Sequence, residues 1–179
     1  MSETKNNLKS YILIALFSAI IAVSAFITIP SPVPFTLQAL GVFCALTILG
    51  GKRGLLSIIL YIFLGIIGLP VFAGFSGGLG HLMGATGGYI LGFIFTAFIY
   101  CFATRFGSSS KIKAVGLISG LIACYLFGTL WYTIIYLKDT SLHSFYSSLV
   151  ICVVPFIVPD VIKIAVAILI NRKLTAIKI

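Results

Sequence analysis

The sequence predicts an all-α integral membrane protein: six transmembrane helices in one bundle, with both termini cytoplasmic. Three observations carry that expectation. Of 179 residues, 60% are hydrophobic and 8% are charged, with a mean hydropathy of +1.22, whereas a soluble domain carries about 25% charged residues. This excludes a water-soluble globule, and it excludes disorder, which needs low hydrophobicity. The apolar residues gather in continuous runs, several near the ~20 residues that cross about 30 Å of hydrocarbon, without the alternation of a transmembrane barrel. The basic residues, finally, fall almost entirely in alternate connections between those runs.

In chain order, the first run is Tyr11–Ile29, preceded by Lys5 and Lys9. With Val23-Ser24-Ala25 near its end it imitates a secretory leader. An apolar stretch of ~19 residues with no soluble domain behind it reads instead as an uncleaved first helix. Runs two and three, Leu37–Gly50 and Leu55–Gly68, are only 14 residues each, with Lys52 and Arg53 between them. Run four, Gly87–Thr104, is followed by Arg105, Lys111 and Lys113; run five, Ala114–Leu137, by Lys138 and Asp139. Run six, Ser147–Ile170, precedes Arg172, Lys173 and Lys178. Ten of the twelve basic residues thus share one side and Lys138 alone has the other, the distribution of a chain with cytoplasmic termini. Losing either short run would place later clusters on the wrong side, so both are expected to cross. The net charge of +9 is then a matter of orientation, and a nucleic-acid partner, which would need a concentrated basic surface, is not expected.

Several chemistries drop out on inspection of the residues that would perform them. The four cysteines, Cys44, Cys101, Cys124 and Cys152, all lie within runs and form no CxxC pair, so they read as small apolar fillers. His81 and His143 sit in separate outer loops away from any acid cluster; no metal site is expected. Gly74-Phe75-Ser76-Gly77-Gly78-Leu79-Gly80 is rich in glycine but lacks the Lys and Ser/Thr that complete a phosphate loop, and Gly51-Lys52 lacks the loop itself. No ATP hydrolysis and no catalytic group are expected. Two readings of the glycines stay open. Gly84, Gly88 and Gly92 recur every four residues, as in close helix packing; Gly74–Gly80 suits a loop folded over an outward-facing cavity.

Asp160 is the one acid inside a run, and Lys163 the one base near a run centre. Each costs roughly 2.5–3.5 kcal/mol at mid-bilayer by insertion scales, and at i and i+3 they share a helix face. Pro155 and Pro159 just before them are expected to bend the helix and free carbonyls. The pair reads either as an internal salt bridge fixing helix packing or as one acceptor and one donor for a ligand. A proton relay or a catalytic dyad would need a second acid. Trp131 and Tyr132 read as interfacial belt residues.

Thr36-Leu37-Gln38, Gly68-Leu69-Pro70-Val71-Phe72-Ala73-Gly74, Thr86-Gly87-Gly88-Tyr89 leading to Gly92-Phe93, and Pro155-Phe156 with Asp160-x-x-Lys163 together resemble the BioY family, the biotin-binding S components of energy-coupling factor (ECF) transporters. The resemblance runs in order over nearly the whole chain, with Ala85 and Val158-Pro159 departing from the family's usual backbone residues. It implies an S-component-like bundle in which residues 1–179 form one substrate-binding domain of a prokaryotic plasma membrane. It further implies capture of biotin, without any cofactor, and transport through a transmembrane coupling protein and two cytoplasmic ATPases. Asp160 and Lys163 would then face the ligand's polar groups. Gln38, Thr36, Thr86 and Tyr89 would complete the polar edge, and the glycine loop through Gly74 would close over the apolar rings. Ala15, Ala19 and Ala22 on the first helix would meet the coupling protein, although the same AxxxA is equally a generic packing face. The alternative is a self-sufficient secondary carrier or channel for a small polar solute, which would need a coupling-ion site.

Overall fold

Eight α-helices make up most of the chain in a computed structural model that describes residues 2–29 and 34–177, with side chains from residue 7 to 29 and 34 to 176. Lys178 and the side chains of Glu3 and Lys5 lie outside the described residues. Helix α1 is Ser2–Phe26, α2 Gln38–Leu49, α3 Gly51–Ile66, α4 Leu79–Leu82, α5 Gly87–Ala103, α6 Ser110–Trp131, α7 Leu142–Cys152 and α8 Val154–Ile177. Between α1 and α2, strand β1 (Thr28–Ile29) pairs antiparallel with β2 (Phe35–Thr36), Thr28 opposite Thr36.

Four stretches are long and apolar enough to cross a membrane: Asn7–Phe26, Gly87–Phe106, Ser110–Tyr136 and Val154–Ala176. Runs two and three appear as shorter helices. At 1.5 Å per residue the 12-residue α2 extends only about 18 Å and the 16-residue α3 about 24 Å. They are joined at Gly50, whose φ of +83° is available at low cost only to glycine. The expected sixth run, Ser147–Ile170, is two helices, not one. The chain breaks at Val153 (φ −121°, ψ −49°) between α7 and α8. Pro155 therefore sits in the first turn of α8, where its missing N–H leaves nothing unsatisfied, and only Pro159 lies in the helix interior. The chain thus breaks ahead of Pro155, and Pro159 remains inside α8.

Helix α2 is apolar almost all round, and Ala39, Gly41–Leu46 and Thr47 are buried, as expected of a helix enclosed by others. It packs against α1, α3 and α8. In α8, Ile157, Val158, Val161 and Ile162 face outward while Asp160 (5% exposed) and Lys163 (7%) face inward. Lipid is the medium that makes this sidedness stable.

Helices α5 and α6 meet through small residues. A Cβ on Gly92 would lie 2.7 Å from Cys124 Sγ, one on Gly120 2.8 Å from Thr96 Cα, and one on Gly88 2.2 Å from Trp131 Cβ. The expected stripe is thus a packing face at Gly88 and Gly92. Its counterpart on α6 is Gly116, Gly120, Cys124 and Gly128. Gly84 lies before α5, in the turn after α4. At the end of the bundle where α2 and α5 finish and α6 begins, Asn171 Nδ2 donates to the Thr47 carbonyl (2.8 Å) and Lys113 Nζ to Asn171 Oδ1 (2.7 Å). This ties α2, α6 and α8 together and leaves the other end free to hold a cavity.

Candidate ligand site

At that other end a small cavity of about 70 Å³ lies among the start of α2, the first half of α5, the second half of α6 and the start of α8. Thr36, Gln38, Thr86, Tyr89, Asp160 and Lys163, scattered over the sequence, all line it.

Asp160 and Lys163 form the polar centre. Lys163 Nζ donates to Asp160 Oδ1 at 2.7 Å and to the backbone carbonyl of Thr36 at 2.8 Å. Tyr125 of α6 donates its hydroxyl to Asp160 Oδ2 at 2.7 Å. Both carboxylate oxygens therefore have a partner, and the salt-bridge reading of this pair is correct as geometry. It does not exhaust the groups. An ammonium has three donors and each carboxylate oxygen more than one lone-pair site, so one N–H of Lys163 and further acceptor capacity on Asp160 remain. Lys163 also stands 5.2 Å from the centroid of the Phe35 ring, a cation–π distance. Phe35 in turn stacks on Phe156 at 4.7 Å. The β1–β2 hairpin thus carries both Thr36 and Phe35 to the charged pair.

The remaining polar groups are held by hydrogen bonds of their own. Gln38 Nε2 donates to the buried Tyr61 hydroxyl (2.9 Å), which leaves Gln38 Oε1 as an acceptor. The Tyr89 hydroxyl pairs with Thr129 Oγ1 at 3.2 Å. Thr36 Oγ1 accepts from the Gln38 N–H at 3.2 Å. Between α3 and α5 the glycine-rich segment folds back on the bundle. Phe72 N–H donates to the Ser76 carbonyl (2.9 Å), Gly78 N–H to the Gly65 carbonyl (2.7 Å), and Phe75 stacks on Phe26 of α1 at 4.3 Å. Gly74 supplies a φ of +70° at the tip. It does not itself line the cavity; its neighbour Ala73 does.

His81 links this segment to the start of α5. Its Nδ1 is 2.9 Å from Ser76 Oγ, its Nε2 3.1 Å from Thr86 Oγ1, and its ring stacks on Phe72 at 5.2 Å. Burial holds its pKa below the usual histidine value. On α1, Ala15 and Ala19 are exposed, whereas Ala22 (8% exposed) is turned into the core.

Sequence reading missed Tyr125, Tyr61, Phe35, Phe156 and the role of His81. Only the unmatched second oxygen of Asp160 hinted at a donor such as Tyr125, and nothing in the sequence distinguishes Tyr125 from the other tyrosines.

A family model described as the BioY family matches residues 1–178. The chain is 40% identical to the probable biotin transporter BioY of Pyrococcus horikoshii over 93% of its length and 96% of that protein's. It is 38% identical to the biotin transporter BioY of Thermotoga maritima over 92% and 94%. Among solved structures, the S-component for biotin from an ECF-type ABC transporter superposes with a TM-score of 0.82 at 29% identity, covering 96% of this chain and 93% of that one.

Proposed function

The chain belongs to the BioY family of membrane transport proteins, and from that premise we propose that it captures biotin in the cavity around Asp160 and Lys163. The observation that carries the site is the buried charged pair itself, held in place by Tyr125 and Thr36 with donor and acceptor capacity left over. Biotin presents two ureido N–H donors and a carbonyl on one ring, an apolar thiophane ring beside it, and a carboxylate tail. Asp160 accepts from a ureido N–H and Lys163 donates its remaining N–H to a ligand oxygen. Gln38, Thr36, Thr86 and Tyr89 complete the polar edge. Phe156 and Phe93 offer apolar surface to the fused rings, and the segment through Gly74 covers them by way of Ala73.

The short helices α2 and α3 are read as two further crossings, giving six with cytoplasmic termini, since ten of the basic residues then share one side. In that orientation the cavity opens outward, and the chain occupies a prokaryotic plasma membrane as the S component of an ECF module. A transmembrane coupling protein and two cytoplasmic ATPases supply the energy. The exposed small residues Ala15 and Ala19 offer the coupling protein a close approach. The protein is not an enzyme.

Equilibrium binding of radiolabelled biotin, thiamine and riboflavin to the purified chain tests the substrate; biotin alone should bind, and stoichiometrically. In proteoliposomes, ATP-driven biotin uptake should require the coupling module. Concentrative uptake by the lone chain under an ion gradient would overturn the S-component reading in favour of a self-sufficient carrier.

A further inference from the structure

The contacts of His81 fix more than its position. A backbone carbonyl can only accept a hydrogen bond, and Ser76 Oγ lies 2.7 Å from the Ala73 carbonyl, so the Ser76 hydroxyl hydrogen is committed there. A hydroxyl has one hydrogen. The 2.9 Å contact between Ser76 Oγ and His81 Nδ1 must then be donated by the histidine, which places the proton on Nδ1. In the neutral ring Nε2 is left as an acceptor. The 3.1 Å contact to Thr86 Oγ1 is accordingly donated by Thr86. Every link runs one way: Thr86 to His81, His81 to Ser76, Ser76 to Ala73. With its hydrogen turned toward the histidine, Thr86, which lines the cavity, has only lone pairs left for a ligand.

We propose that His81 is a specificity-determining positioning residue: through this chain it makes Thr86 an acceptor, so that the cavity selects an N–H group at that point. The proposal rests on the biotin reading, in which the ureido ring supplies the N–H. Protonating His81 reverses the device. Nε2 becomes a donor, Thr86 must accept from it, and the threonine hydrogen is turned toward the ligand's own N–H. The groups that face the ring are neutral: Phe72 and Ser76 from the folded-back segment and Thr86 at the start of α5. On α3, Tyr61 meets Phe72 edge-on and has its hydroxyl engaged by Gln38. Burial alone, with no charged side chain contributing, favours the neutral ring.

The test is biotin binding to the purified full chain between about pH 7.5 and about pH 5. Wild type should lose affinity toward the acid end of that range, the effect of opposing two donors. His81→Gln, whose carbonyl accepts from Thr86 and does not titrate, should show a flat profile. Thr86→Val should bind about tenfold more weakly than wild type at the upper pH and be flat, and Thr86→Ser should restore both the affinity and the pH dependence. A His81→Gln profile parallel to wild type, or a Thr86→Val affinity equal to wild type, overturns the proposal while leaving biotin capture intact. Absence of biotin binding by wild type at the upper pH overturns the biotin reading and this proposal with it.

Discussion

Tyr125 on α6 donates its hydroxyl to Asp160 Oδ2 on α8 at 2.7 Å, although 35 residues separate them. This contact joins two long spans at the depth of the charged pair and orients the carboxylate so that its other oxygen meets Lys163. The arrangement is a support for Asp160, built from a residue that carries no charge.

Tyr125→Phe should keep the ring's packing and remove the donor. Hydrogen bonds to charged groups contribute about 1.5–3 kcal/mol, so biotin affinity should fall about tenfold while the purified protein stays monodisperse. Filter binding or calorimetry reads the change; affinity equal to wild type would mean that Asp160 is held without it.

Replacing one member of the buried pair strands the other. Asp160→Asn or Lys163→Ala should weaken biotin binding at least about tenfold and also lower thermal stability, since an uncompensated buried charge costs about 3–5 kcal/mol. The double variant Asp160→Asn with Lys163→Met should recover thermal stability in detergent and still fail to bind. Recovery of binding along with stability would assign the pair to packing alone.

Ala19 stands on the exposed face of α1. Ala19→Trp should abolish ATP-driven uptake by the reconstituted module while the lone chain binds biotin as before. Uptake at the wild-type rate would place the coupling contact elsewhere.

Gly120 brings the backbones of α6 and α5 together. A Cβ there would lie 2.8 Å from Thr96 Cα and 2.9 Å from the Thr96 carbonyl oxygen, atoms that cannot move aside. Gly120→Val should therefore destabilise the folded chain by about 1–3 kcal/mol, seen as a lower midpoint of thermal unfolding.

Asp139, in the turn before α7, accepts from Ser141 N–H at 2.8 Å and from the Ser144 hydroxyl. These bonds hold its carboxyl below the usual value of 3.8. A depressed folded-state pKa means that the contribution to stability is complete above 3.8 and is lost as pH falls through the lower folded value. Amide exchange at Ser141 and Ser144 should accelerate on that acid side in wild type. In Asp139→Asn it should be insensitive to pH over the same range, after correction for intrinsic exchange.

The sequence revealed whatever violates the composition around it. Asp160 and Lys163 are conspicuous because charge is scarce, and the basic connections mark the sides of the membrane for the same reason. Six of the seven ligand-site residues proposed on resemblance meet around one cavity. What stayed hidden depends on partners distant in sequence. Tyr125, Tyr61 and Phe35 have no local signature, and their roles arise only when α6, α3 and the β1–β2 hairpin converge. The break at Val153 was concealed because Ser147–Ile170 is continuously apolar and Pro155 is compatible with either a bend or a helix start. His81, spaced five residues from Ser76 and from Thr86, matches no helix or strand period, so only the folded-back segment discloses its contacts.

The anchoring of that segment has a thermodynamic consequence. With Phe75 stacked on Phe26, Gly78 bonded to Gly65 and His81 bridging Ser76 and Thr86, the segment that brings Ala73 to the cavity acquires its shape when the chain folds. Ordering a loop of this kind costs roughly 1–2 kcal/mol of backbone entropy per residue, and here that loss is met in folding, before any solute arrives. Preorganisation of this sort leaves more of the contact energy to appear as affinity.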